Sequence, residues 1–149
     1  MKVGDRVQDF TLKDHSGVDF RMADHLGKGP IVLYFYPKDD SPGCTVQACA
    51  FRDSYEDFKD AGAEVIGISS DSERSHLMFV SKHSLPFTLL SDKDGAVRKL
   101  FGVPRSLGLL PGRVTYVIDS EGTIRYIFSS QSRVREHISR ALETLRNMR

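Results

Sequence analysis

Cys44 and Cys49 are the two cysteines of the chain, and they sit in Ser41-Pro42-Gly43-Cys44-Thr45-Val46-Gln47-Ala48-Cys49. A close thiol pair is either ordinary core or a redox couple. Four-ligand zinc is a poor fit, because neither a second Cys-x-x-Cys nor a His-x3–5-His pair follows. A small secreted domain held together by disulfides would carry more cysteines. The histidines (His15, His25, His76, His83 and His137) are scattered and read as surface or structural residues. Asp39 and Asp40 read as acids that solvate the loop before the cysteines.

The residues before Cys44 are those that start a helix. Ser41 suits the N-cap and Pro42 the first helical position. Cys44 is then the third helical residue, among backbone N–H groups with no intrahelical acceptor. Those donors and the helix dipole favour an anion, which is the nucleophilic form of a thiol. A buried cysteine also serves as a small apolar residue, so the cap geometry leaves both readings open.

Cys49 adds a second constraint. On a helix it lies about 7.5 Å further along the axis and about 140° around it. The Cα atoms are then roughly 8.7 Å apart, beyond the ~7 Å that a disulfide spans. The sulfurs can bond only if the first turns of the helix unwind. Cys44, Ala48, Phe51, Tyr55 and Phe58 share one helical stripe facing the core, and Cys49 points away from it. A structural cysteine would more naturally lie on that stripe, which favours a redox partner.

The rest of the chain must position this segment. Phe10–Leu12 and Val18–Phe20 flank Asp14-His15-Ser16-Gly17 as a hairpin. The continuous apolar run from Ile31 to Tyr36 reads as a central strand buried on both faces and ended by Pro37. A helix is expected from about Pro42 to Asp60, then a strand over Glu64–Ser69, a helix over Ser72–His83, a strand at Phe87–Leu90 and a helix at Ala96–Phe101. Strands at Arg113–Asp119 and Thr123–Phe128 surround Ser120-Glu121-Gly122, and a last amphipathic helix aligns Val134, Ile138, Ala141, Leu142 and Leu145. This order predicts an α/β fold: a mixed central sheet with helices on both faces and an N-terminal β-hairpin.

Composition agrees with one globular domain over residues 1–149: 40% of residues are hydrophobic. With 21 basic and 20 acidic residues the net charge is +1, without the basic excess of a nucleic-acid binder. The longest apolar run falls far short of the ~20 residues that span a bilayer, so no membrane partner is expected. The start, MKVGDRVQDF, lacks the apolar core of a signal peptide, and the expected location is the cytoplasm.

Pro37-x3-Ser41-x2-Cys44 resembles the active-site pattern Pro-x3-Thr/Ser-x2-Cys of the peroxiredoxins. A second cysteine five positions on is similar to the bacterioferritin comigratory protein and peroxiredoxin Q branch. The likeness extends through Val32–Pro37, Ala48–Asp53, Ala63–Ser69, Leu85–Asp92 and Leu110–Asp119. It implies a thioredoxin-like fold, an antioxidant thiol peroxidase acting on hydrogen peroxide and organic hydroperoxides, no metal or organic cofactor, thioredoxin as electron donor, and a monomer. It matches Cys44 to the peroxidatic cysteine, Cys49 to the resolving one, Pro37 and Ser41 to the active-site loop, and Arg113 to the arginine that contacts thiolate and peroxide. Ser41 departs from the commoner Thr, keeping the hydroxyl and losing a methyl. Likeness to plant-type peroxiredoxin Q makes the chloroplast the alternative location, if a transit peptide has been removed. Leu107 to Leu110 with Pro111 would form an apolar loop able to line the mouth of the site. Two other functions compete: a protein thiol–disulfide oxidoreductase, for which Cys-x-x-Cys would be the better spacing, and a redox sensor oxidised without turnover.

Overall fold

The computed structural model describes residues 1–106 and 110–148, with the backbone alone at 105–106 and 110–111. In chain order the elements are β1 (Thr11–Asp14), β2 (Asp19–Arg21), β3 (Ile31–Phe35), α1 (Pro42–Asp53), α2 (Tyr55–Asp60), β4 (Glu64–Ser69), α3 (Glu73–His83), β5 (Thr88–Ser91), α4 (Ala96–Phe101), β6 (Arg105–Ser106), β7 (Leu110–Pro111), β8 (Val114–Ile118), β9 (Ile124–Ser129) and α5 (Glu136–Asn147). Of the apolar loop expected over Leu107 to Leu110 with Pro111, residues 107–109 lie outside the described residues, and Leu110–Pro111 form β7, a strand paired with β6 rather than loop.

Seven strands form one mixed sheet in the order β2-β1-β5-β4-β3-β8-β9. β3, β4 and β5 run parallel, and β8 and β9 continue antiparallel on one side. Every residue of β3 is buried, as a continuous run of β-branched and aromatic side chains demands. Alternation along it builds two cores. Val32, Tyr34 and Tyr36 pack with Ala48 and Phe51 of α1, Phe58 of α2, Phe79 of α3 and Leu142 and Leu145 of α5. Ile31, Leu33 and Phe35 pack on the other face with Phe10, Met22 and, from α4, Val97 and Phe101.

This topology brings two distant segments together. The chain leaves β3 at Tyr36 and enters α1 through a short loop, while antiparallel pairing sets Phe35 opposite Val114, where β8 begins. With a side-chain period of two, Arg113, Thr115 and Val117 share the sheet face that α1 and α5 cover.

The sequence expectation of one helix over 42–60 needs correction. The helix breaks at Ser54, whose φ of −98° and ψ of 10° are not helical. Asp53 and Ser54 are poor helix residues because their side chains compete for backbone hydrogen bonds. Phe51 and Phe58 remain in contact across the break, with ring centroids 5.5 Å apart. At the hairpin, Asp14 Oδ1 accepts the N–H groups of Ser16 (2.8 Å) and Val18 (3.0 Å), as that turn requires.

Gly67 of β4 pairs with Tyr34 and Leu89 in neighbouring strands. A Cβ there would lie 2.8 Å from Leu89 Cδ2 and 2.9 Å from Tyr34 Cζ. The glycine therefore makes room for the Tyr34 ring under α1. Gly67→Ala is expected to lower unfolding free energy by about 1–3 kcal/mol through overpacking, read by urea denaturation; an unchanged midpoint would show that the sheet absorbs the methyl.

Candidate active site

Cys44 occupies the third position of α1 and is 1% exposed. Ser41 takes the N-cap place with an extended backbone, and its carbonyl accepts the Thr45 N–H at 2.9 Å. Its hydroxyl does not cap the helix, as the sequence suggested; it donates to Lys38 O at 2.8 Å and closes the loop on itself. Pro37 is half-buried directly after Tyr36.

Arg113 reaches this turn from the start of β8 and is only 5% exposed. Its Nη1 donates to Gln47 Oε1 at 2.5 Å and its Nε to Gln131 O at 3.3 Å. A Cβ on Gly43 would stand 2.9 Å from Nη2. The guanidinium thus lies along the first turn of α1, touching the residues on either side of Cys44. Among the described residues no carboxylate lies within ion-pairing distance of it. A buried cation without a counter-ion is costly, and it favours an anion in the same pocket. Cys44 is borne by the same turn of α1.

Two further polar groups face this pocket. Arginine only donates, so the Gln47 carbonyl must be the atom turned to it. The Gln47 Nε2 is then left, buried, without a hydrogen-bond partner among the described residues. The Tyr34 hydroxyl is likewise buried and unpartnered. Burial pushes the Tyr34 phenol well above its ordinary range, reinforced by the charges of Cys44 and Asp39 and opposed by Arg113. It stays a neutral donor. Unsatisfied buried donors of this kind are rare in folded proteins and call for an explanation.

The loop ahead of Cys44 is held from below. Asp39, expected to be solvated, is buried: its carboxylate accepts from Tyr36 Oη (2.6 Å) and Ser75 Oγ (2.8 Å) and meets His76 Nδ1 at 2.7 Å. His76 Nε2 faces Leu90 O at 2.9 Å, and the Asp39 N–H donates to Asp71 Oδ2 at 2.9 Å. Asp39, Asp71 and His76 each offer a ligand atom within 4.8 Å of the others, but these atoms are engaged with one another and with Tyr36, Ser69 and Ser75. They tie the loop to α3 and β5. No sequence signal linked residues so far apart. Gln47 could have been found, since it lies one turn beyond Cys44 and is polar on a buried face.

Arg113 is braced from behind by His137. Its Nδ1 accepts from Thr115 Oγ1 at 2.8 Å and its Nε2 donates to Ser130 O at 2.8 Å, while Ser130 N–H donates to Arg113 O at 3.1 Å. Burial lowers the His137 pKa to about 4, against the Ser130 carbonyl and aided by Arg113. Cys49 lies elsewhere: half-buried, on the same unbroken helix, turned toward α3. Both cysteines are free thiols, so the structure brings Cys44 together with Arg113 but not with Cys49.

Residues 3–127 match the AhpC/TSA family. The chain is 55% identical over 140 residues to the chloroplastic peroxiredoxin Q of Triticum aestivum, covering 93% of this chain and 64% of that one. It is 53% identical over 141 residues to the chloroplastic peroxiredoxin Q of Sedum lineare, covering 94% and 75%. The solved structure of peroxidoxin BcpB from Mycobacterium tuberculosis superposes with a TM-score of 0.93 at 41% identity, covering 100% of this chain and 99% of that one. The architecture is therefore the thioredoxin-like fold of these proteins.

The neutral His137 carries a pH dependence. Its folded pKa of about 4 lies below the ordinary 6.5. The unfolded chain thus binds more protons between those values, and stability rises with pH across that window. Unfolding free energy should be greatest above pH 6.5 and fall by up to about 3 kcal/mol as pH drops to 4. His137→Gln should flatten this slope in denaturant titrations at several pH values; an unchanged slope would assign it to other groups.

Proposed function

The chain belongs to the AhpC/TSA family, in its peroxiredoxin Q branch, and from that premise we propose that it is a thiol-dependent peroxidase, with residues 1–149 acting as one domain. The observation that carries this reading is the buried Arg113 guanidinium, without a carboxylate partner among the described residues, laid against the helix turn that bears Cys44.

Cys44 thiolate attacks the terminal oxygen of a peroxide ROOH. The S–O bond forms as O–O breaks, and the leaving alkoxide takes a proton to become ROH. Charge grows on that oxygen, so fixed donors aimed there lower the barrier. Arg113 has donors beyond those on Gln47 and Gln131 without a partner among the described residues, and the Cys44 N–H at the helix start can add to them. Pro37 shields the sulfur from water. Ser41 keeps the loop closed, its proton held by Lys38 O. Cys44 is left as a sulfenic acid, and Cys49 condenses with it to a disulfide with loss of water. An external dithiol reduces the disulfide by exchange, and thioredoxin is the donor that fits the branch.

A shallow depression of about 590 Å³ beside α1 is lined by Pro42, Gly43, Val46 and Val134 among others. These apolar residues suit the alkyl group of an organic hydroperoxide, and the polar Ser132, Arg133, Arg135 and Glu136 complete the lining. Among the described residues no helix is long and apolar enough to cross a membrane, and the enzyme is read as a monomer. The plant relatives are named for the chloroplast, which supports that location over the cytoplasm.

The test is a coupled assay with thioredoxin, its reductase, and hydrogen peroxide or an organic hydroperoxide. Wild type should turn over repeatedly. Cys44→Ser should be inactive, and Cys49→Ser should oxidise once, form no internal disulfide and pass to sulfinic acid at high peroxide. Arg113→Lys keeps the charge and loses the planar fork, and should slow the peroxide step by about 10- to 1000-fold. Stoichiometric oxidation of wild type without turnover would favour a sensor instead.

Disulfide formation also requires α1 to open, since an intact helix holds the Cα atoms about 8.7 Å apart. The break at Ser54 gives the unwinding a natural limit. Oxidation should raise amide exchange across Cys44–Cys49 while Phe58 in α2 stays protected. Equal protection in reduced protein and in protein with a mass-confirmed Cys44–Cys49 disulfide would refute the helical constraint.

A further inference from the structure

Cys49 does not face empty solvent. Its Sγ lies 3.8 Å from Nδ1 of His83, the last residue of α3. The other ring nitrogen, Nε2, is buried without a hydrogen-bond partner among the described residues, and stands 3.9 Å from Asp40 Oδ1. Asp40 is in the loop before α1, with a left-handed φ of 61°. The ring packs edge-on against Phe79 at 5.1 Å. These three residues form the series nucleophile, imidazole, carboxylate. We propose that His83, with the Asp40 carboxylate 3.9 Å from its far nitrogen, is the general base that takes the Cys49 proton for disulfide formation. The assignment rests on Cys49 being the resolving cysteine.

The chemistry needs such a group. A thiol is a weak nucleophile until deprotonated, and an ordinary one is only a few per cent ionised at pH 7. His83 Nδ1 accepts the thiol proton. The Cys49 thiolate then attacks the Cys44 sulfenic sulfur, forming S–S as S–O breaks. The departing hydroxide takes a proton to become water, and the imidazolium releases its proton to solvent. Cys49 sulfur is oxidised, Cys44 sulfur is reduced, and one water leaves.

The surroundings suit this role. The charged groups around the pair are Asp40, Lys82, which sits 3.4 Å from Asp40, and Arg52, which is held by Asp53. Arg52 Nη1 donates to His83 O at 2.8 Å. That bond pins the part of α1 beyond Cys49 to the end of α3. The turns around Cys44 can therefore unwind toward Cys49 while thiol and imidazole stay together.

Rapid-mixing single turnovers, with Cys44 oxidation as internal reference, would measure disulfide formation from pH 6 to 10. His83→Gln is expected to slow it by about 10- to 100-fold at pH 7. The deficit should vanish above about pH 9, where a thiol ionises unaided. Asp40→Asn, whose side chain tolerates the left-handed backbone, should show a smaller deficit with the same pH dependence, and it carries the test alone if His83→Gln does not fold. Wild-type rates throughout, or a deficit of equal size at every pH, would overturn the assignment. Failure of the wild type itself to form a Cys44–Cys49 disulfide would instead overturn the proposed function on which it rests.

Discussion

A buried positive charge with no carboxylate partner among the described residues organises this molecule. Arg113 is held by neutral groups: the Gln47 carbonyl, the Gln131 backbone carbonyl and, indirectly, an uncharged His137. Gln47 or His137 could have been an acid in a site built for stability alone. A permanent carboxylate would neutralise the guanidinium and leave it nothing to offer a thiolate. The absence of a side chain on Gly43 lets it lie against the helix. The sheet topology is what makes the contact possible, because the end of β3 and the start of β8 are neighbours.

A second constraint works against the first. Helix geometry that sets Cys44 in the turn along which Arg113 lies also keeps Cys49 out of reach. In the proposed reaction the site needs a folded state for attack on peroxide and an opened one for resolution. The segment can afford this because its anchors are unequal. Phe51 and Phe58 fix its C-terminal side in the aromatic core, while the first turn has small residues and a helix start, and the loop ahead is fastened by Asp39 to His76. Opening then stays local, and the sheet is not disturbed.

Adjacent acids in the loop show how environment divides roles. Asp39 points inward to Tyr36, Ser75 and His76 and has become part of the scaffold. Asp40, one residue on, turns outward through a left-handed backbone toward Lys82 and His83. Residue type alone could not separate them.

Much was legible in the sequence. The apolar run of β3, the Ser41-Pro42 helix start, the Asp14–Gly17 turn and the i, i+5 cysteine spacing are local features, set by short-range sterics, capping and periodicity. The strands and helices follow from them to within a residue or two, except for the short β6–β7 pair, which was read as loop, and at Ser54, where a broken helix still keeps its buried stripe in phase. The motif around Cys44 was recognisable because its residues lie close together in the chain. What tertiary structure decided is which distant residues complete the site. Gln47 as the holder of Arg113, Asp39 with His76, His137 behind Ser130, and His83 beside Cys49 all depend on strand order and helix packing. Chain separation carries no information about such contacts, because pairings between β3, β8 and the helices above them form only when the whole sheet buries its two faces.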